Sequence, residues 1–199
     1  MYLGVTGQIG SGKSTAASIL AELGGVVVSA DEVGRDVVET NKTLLTRLAR
    51  SFGTDILQPG GSLNRLKLAE RAFADDVSCD TLNRLVHPHL LRELHRRMKR
   101  LAARHRVVVV DAALLPNWGL CDTMDYVLVV HASAEMRFKR LVERGIDPDD
   151  ARARQQAQLK FAAYRECADR IILNNSTVQR LRHKLQRLWR VEILKRIDT

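Results

Sequence analysis

Five short apolar runs punctuate the chain: Tyr2–Val5, Val26–Val28, Val107–Val110, Tyr126–Val130 and Ile171–Leu173. Each ends near a small or acidic residue, and the runs are nearly continuous rather than alternating. That pattern belongs to strands whose two faces are both covered, as in a parallel sheet between layers of helices. Helix-like stretches separate the runs, so the order strand, helix, strand predicts a doubly wound α/β core. Between Asp31 and Arg106 no comparable run occurs, and the segment predicts several helices with a turn at Pro59-Gly60-Gly61. Leu82, Leu85, Val86, Leu90, Leu94, Met98 and Leu101 keep helical spacing, and Pro88 among them is expected to kink or divide that helix. The expected layout is a core of about 1–30, 106–132 and 168–199, a helical insertion of about 31–105, and a helical lid of about 137–165.

Local chemistry marks the helix ends of the lid. Ser133 suits an N-cap with Glu135 in the first turn, and Arg137, Arg140 and Arg144 follow on one stripe, with Arg137 expected at the surface. Gly145 reads as a hinge, after which Asp147 suits a second cap with Pro148 at the first helical position. Near the C-terminus, Val178, Leu181, Leu185, Leu188 and Trp189 form an apolar stripe, and the intervening cations form a solvated face.

The most specific chemical signal is Gly7-Gln8-Ile9-Gly10-Ser11-Gly12-Lys13-Ser14, placed between the first strand and a helix. Glycines there let successive amides turn inward onto phosphate oxygens, and the helix start adds its dipole. Gly10, Ser11, Gly12, Lys13, Ser14 and Thr15 are therefore the candidate nucleotide-binding residues. Lys13 supplies charge to the β- and γ-phosphates, and the Ser14 hydroxyl is the candidate Mg²⁺ ligand. The second strand leads into Ser29-Ala30-Asp31. Asp31 is a candidate base for an acceptor hydroxyl and equally a candidate N-cap for Glu32–Glu39. Asp111, after the most valine-rich strand, is either a metal-organising carboxylate or a satisfied strand end. Arg140 is the foremost candidate in the arginine stripe for charge over a transferring phosphoryl group, and His87 either reaches a substrate or stabilises the break at Pro88.

A length of 199 residues is enough for a packed core without staples. Cys79, Cys121 and Cys167 are odd in number and far apart, which predicts neither a disulfide framework nor a zinc site and fits a cytoplasmic protein. Asp111 interrupts the longest apolar stretch, so no membrane span is expected, and a phosphate loop this close to Met1 argues against a cleaved leader. The net charge of +9 suits nucleic acid, an anionic surface or a polyanionic small substrate, and does not choose among them.

From Val5 to about Asn175 the chain resembles the dephospho-CoA kinases. The matching features are Thr6-Gly7, Ile9–Thr15, Ala30-Asp31 with Arg35 and Val37-Val38, and His87-Pro88. They continue through Leu114-Leu115, Arg140-Leu141 with Arg144, Arg154 with Gln158, Ala168-Asp169, and Ile172 before Asn174. The resemblance implies a parallel-sheet P-loop NTPase core with helices on both faces, a helical substrate-binding insertion and a helical lid. It implies transfer of the ATP γ-phosphate, with Mg²⁺, to the ribose 3′-hydroxyl of dephospho-CoA. Asp31 would then be the general base, Arg140 a lid arginine near the phosphates and Asn174 a neighbour of adenine, with Arg35 and His87 by the acceptor. The basic excess would serve two polyanionic small molecules rather than nucleic acid or a membrane, in a monomer or weak homo-oligomer. The alternatives are a kinase of another small molecule, such as a nucleoside or nucleotide, and a nucleotide-binding regulator without transfer activity. The chain departs from the family pattern where Gln8 stands for a common glycine, Ser29 for an acidic residue, Ala113–Asn117 for Pro-Leu-Leu-x-Glu, and Tyr164 for a lysine.

Overall fold

A computed structural model describes residues 1–198 and divides them into two compact units, Ala30–Arg97 and the remainder of the chain. The larger unit holds one sheet of five parallel strands: β1 (Tyr2–Thr6), β2 (Val26–Ser29), β3 (Val108–Asp111), β4 (Tyr126–His131) and β5 (Arg170–Leu173). Their spatial order is β2-β3-β1-β4-β5. The register sets Val5 beside Asp111 and Ser29 beside Asp111, so the carboxyl ends of β1, β2 and β3 finish level with one another.

Alternate residues of these strands enter opposite faces, and both faces are buried. Leu3, Val5, Val109, Tyr126, Leu128 and Val130 join one core with α1 (Lys13–Glu22) and α9 (Val178–Leu188). Val108, Val110, Val127 and Val129, on the other face, are also buried. There a Cβ on Gly4 would lie 2.9 Å from Met124 Cγ and 3.1 Å from Leu115 Cδ2. Burying a valine side chain fully is worth roughly 1.5–3 kcal/mol, which is why these runs read as unbroken valine.

The same unit carries α6 (Ala134–Glu143), α7 (Pro148–Gln156) and α8 (Phe161–Glu166) between β4 and β5. Ser133 Oγ accepts from Met136 N–H and Asp147 Oδ1 from Asp149 N–H, so both predicted caps form. α6 ends at Gly145 (φ 82°), whose N–H donates to Val142 O. α7 is fastened to α6 by Gln155 Nε2 donating to Ala134 O at 3.1 Å and by the Arg152 guanidinium 5.0 Å from the Phe138 ring centroid. After α9 comes a π-helical turn, Trp189–Ile193, leading into α10 (Leu194–Asp198). The turn buries Trp189 and Ile193 and aims Glu192 to accept from Tyr126 Oη and pair with Arg170.

The smaller unit is helical: α2 (Ala30–Thr40), α3 (Lys42–Phe52), a 3-10 turn Thr54–Ile56, α4 (Arg65–Ala72) and most of α5 (Asp76–Ala102). Leu57 and Leu63 pair across the Pro59-Gly60-Gly61 turn. Of the two expected effects of Pro88, division does not occur, and α5 runs unbroken past it. Proline removes one i to i−4 hydrogen bond, and 27 residues of helix supply enough flanking bonds to continue on either side. Polar clasps tie the unit together. Arg97 bonds Asp36 at 2.8 Å and Glu93 at 2.8 Å, Arg96 grips Glu93 with two bonds of 2.6 Å, and Asn41, the N-cap of α3, meets His89 Nδ1 at 3.2 Å. Among the described residues no helix is long and apolar enough to cross a membrane.

Candidate nucleotide site

The loop from Gly7 to Gly12 joins β1 to α1 without an intervening element. Three glycines make its path possible: at Gly7 (φ 148°) a Cβ would lie 2.2 Å from Val130 O. Gly10 has φ 75° and Gly12 φ 95°, left-handed values that side chains rarely adopt. A Cβ would also lie 2.7 Å from Arg137 O at Gly10 and 2.4 Å from Asn174 Nδ2 at Gly12. The loop is thus walled by neighbouring chain. No side chain caps the N-terminus of α1, so the first-turn amides and the positive dipole end remain available to an anion. Lys13 is half-buried and Ser14 exposed in that first turn, with Thr15 following. This cradle fits a polyphosphate, and the Ser14 hydroxyl is a side-chain oxygen in its first helical turn that could serve a cation.

Arg140 and Asn174 meet this loop, but not as isolated groups. Arg140 Nη1 donates to Gly10 O and Ser11 O, both at 3.3 Å, while Nη2 donates to Asn174 O at 2.8 Å and Ser176 O at 3.3 Å. Asn174, 5% exposed, donates its own Nδ2 to Ser11 O at 2.8 Å. Arg140 therefore ties the phosphate loop to the segment after β5 through four carbonyls. Arg137, expected at the surface, is 7% exposed: its helix packs directly on Gly10, so the stripe facing the loop includes it. Its Nε donates to Ala132 O at 3.2 Å, and burial pulls its pKa below the ordinary arginine value. Arg144 and Arg154 are exposed, and Arg154 pairs with Asp150 at 3.8 Å.

The remaining candidates belong to the smaller unit. Asp31 lies in the first turn of α2 rather than at its N-cap, because the helix begins at Ala30 directly after β2. It is exposed, and its carbonyl accepts from Arg35 Nε at 3.3 Å. His87 is half-buried in α5, and burial lowers its pKa, favouring the neutral ring. In the larger unit, Asp111 ends β3 beside Val5 and Ser29, as the strand pattern predicts.

Several participants were marked in the sequence only as matches to or departures from the family pattern, with no role attached. Gln8 Nε2 donates to Leu159 O at 3.0 Å, and Ile9 N–H donates to Gln158 Oε1 at 2.7 Å. Thr6 Oγ1 and Tyr164 Oη both donate to Ala113 O, at 3.3 and 3.2 Å, so α8 is moored to the segment after β3. Cys121 and Cys167, distant in sequence, line one cavity of about 410 Å³. Burial and the neighbouring Cys167 push the Cys121 thiol up to about 12. All three cysteines are free.

Known proteins agree with this geometry. The family model described as dephospho-CoA kinase matches residues 1–180. The dephospho-CoA kinase of Corynebacterium efficiens is 42% identical over 199 residues, 99% of each chain. A solved Thermus thermophilus structure is 29% identical with a TM-score of 0.79, covering 96% of both chains. The Campylobacter jejuni dephospho-CoA kinase shares the fold with a TM-score of 0.75 at 24% identity, covering 98% of this chain and 97% of its own. Family match, relatives and sheet topology converge, and the chain belongs to the dephospho-CoA kinase family.

Proposed function

We propose that the protein transfers the ATP γ-phosphate to the ribose 3′-hydroxyl of dephospho-CoA, giving coenzyme A and ADP. The observation that carries this reading is the walled loop Gly7–Gly12 opening on the uncapped N-terminus of α1, within a chain of this family. Loop amides and Lys13 bind the β- and γ-phosphates and offset the charge that builds up as the phosphoryl group leaves. Ser14 would hold a Mg²⁺ ion, which would supply further positive charge against the phosphates. Asp31, exposed and following β2 by two residues, is proposed to take the proton of the acceptor hydroxyl. Arg35, one helical turn on, and neutral His87 are proposed to orient the acceptor. Arg140 acts on phosphate binding by holding the carbonyls of Gly10 and Ser11, so that the amides of the same loop keep facing the ligand. Asn174 shapes the loop through Nδ2, which leaves Oδ1 as the atom for an adenine contact.

The positive charge of the chain suits two polyanionic small molecules, and a cytoplasmic monomer or weak homo-oligomer is the setting proposed. The direct test is incubation of purified protein with ATP, Mg²⁺ and dephospho-CoA, following product by mass, with nucleosides and nucleoside monophosphates as parallel acceptors. A mass gain of one phosphoryl group on dephospho-CoA alone is expected. ATP binding with no such product would overturn the assignment.

A further inference from the structure

The lip of the phosphate loop is held by a reciprocal pair of bonds that cross between the same two short segments. Gln8 sends its side chain to the backbone of Leu159, and Gln158 sends its side chain to the backbone of Ile9, at 3.0 and 2.7 Å. Residues 158 and 159 lie between α7 and α8, at the root that joins these two helices of the expected lid segment. The far side of that root is itself moored, because Tyr164 is fully buried and donates to Ala113 O. Ala113 O also accepts from Thr6, the residue that opens the loop.

Gln8 is only 8% exposed, and its Oε1 is buried with no hydrogen-bond partner. A buried amide with one unsatisfied end costs stability, a penalty that a smaller side chain would avoid. What the penalty secures is the second bond of the clasp. The neighbouring peptide, Ile9, is fixed at the same time by an acceptor from far along the chain. The Ile9 N–H is spent on Gln158, so what the bond fixes is the path of the loop leading to the uncapped first turn of α1.

We infer that Gln8 and Gln158 are positioning residues, forming a clasp that joins the root between α7 and α8 to the phosphate loop and fixes its Gln8–Ile9 stretch, so that the amides that follow, at Gly12 to Ser14, stay turned towards the nucleotide. The clasp rests on nucleotide binding at this loop and is independent of which acceptor is used. Breaking either half frees both segments, because the two bonds share one docking.

The test uses Gln8→Met and Gln158→Met, which keep length and volume but lose the bonding groups, together with the double variant. Calorimetric ATP affinity without acceptor, KM for ATP and for dephospho-CoA, and amide exchange at Ile9 without nucleotide are measured for each. ATP affinity is expected to fall about three- to ten-fold in either single variant, as the loss of one such bond implies. KM for ATP should rise in parallel, KM for dephospho-CoA should change less, and Ile9 exchange should quicken. The double variant is expected to be no worse than the weaker single, since coupled residues do not add. Unchanged ATP affinity in both single variants would overturn the clasp, and so would additive losses. A gain in ATP affinity for Gln158→Met would also overturn it, because Gln158 Oε1 would then be occupying the place of a phosphate oxygen. Loss of melting temperature with wild-type affinity would reduce both residues to packing.

Discussion

Replacing Arg140 with methionine separates two roles that the sequence leaves merged. The guanidinium makes four bonds to carbonyls, one at 2.8 Å and three at 3.3 Å. A hydrogen bond from a charged donor contributes about 1.5–3 kcal/mol, but the three long bonds count at or below the low end, and solvent reaches part of the freed surface. A destabilisation of about 3 kcal/mol is a reasonable sum, equivalent to roughly 6–12 °C in melting temperature for a chain of this size. Because two of the carbonyls belong to Gly10 and Ser11, ATP affinity should fall along with stability. Arg140→Lys should fall between wild type and methionine in stability, since a single ammonium cannot span carbonyls on both segments. Thermal melts with and without ATP, alongside steady-state kinetics, read all three quantities. An Arg140→Met enzyme with wild-type melting temperature and ATP affinity but a depressed kcat would refute the clamp, leaving a group that acts on the transferring phosphoryl alone.

Other perturbations address other parts. Asp31→Asn should keep ATP affinity within about two-fold while lowering kcat roughly 10²- to 10⁴-fold, the range of a general base; unchanged turnover would remove Asp31 from that role. Lys13→Ala should weaken ATP binding roughly ten- to a hundred-fold, and calorimetry returning the wild-type value would disprove its contact with the phosphates. In the helical unit, Arg96 and then Arg97 hold the Glu93 carboxyl at about 2, against an ordinary 4.5. Since the folded value lies below the unfolded one, the stabilisation is complete above pH 4.5 and drains away as pH falls towards 2. Glu93→Gln should therefore melt lower than wild type near neutrality, and the gap should close over that acid window; a gap independent of pH would disprove the pairing.

Strand positions were legible because burial on two faces demands continuous apolar side chains, and Val108, Val109 and Val110 leave little alternative. The phosphate loop was legible because glycine and lysine at fixed spacing answer a local need. Caps at Ser133 and Asp147 are local too. What stayed hidden depends on partners distant in the chain. Arg137 looked like a surface cation because nothing nearby marks its helix as packed on Gly10. Gln8 and Gln158 are 150 positions apart in a sequence rich in unremarkable polar residues, and only folding brings their segments together. Cys121 and Cys167 likewise share a cavity that their spacing concealed. At Pro88 the local rule left two outcomes open, and the length of helix around it excludes the division.

The π-helical turn at Trp189–Ile193 has a bearing on how the C-terminus tolerates change in length. Such a turn is the footprint of one extra residue accommodated within an α-helix. Deleting the half-exposed Val191 would restore regular winding and leave the helix faces on either side in place, whereas a deletion within the regular turns of α9 would rotate all that follows by about 100°. The turn is therefore the place in the C-terminal helices where loss of a single residue should be borne best, with the cost confined to the local contacts of Glu192 and Ile193.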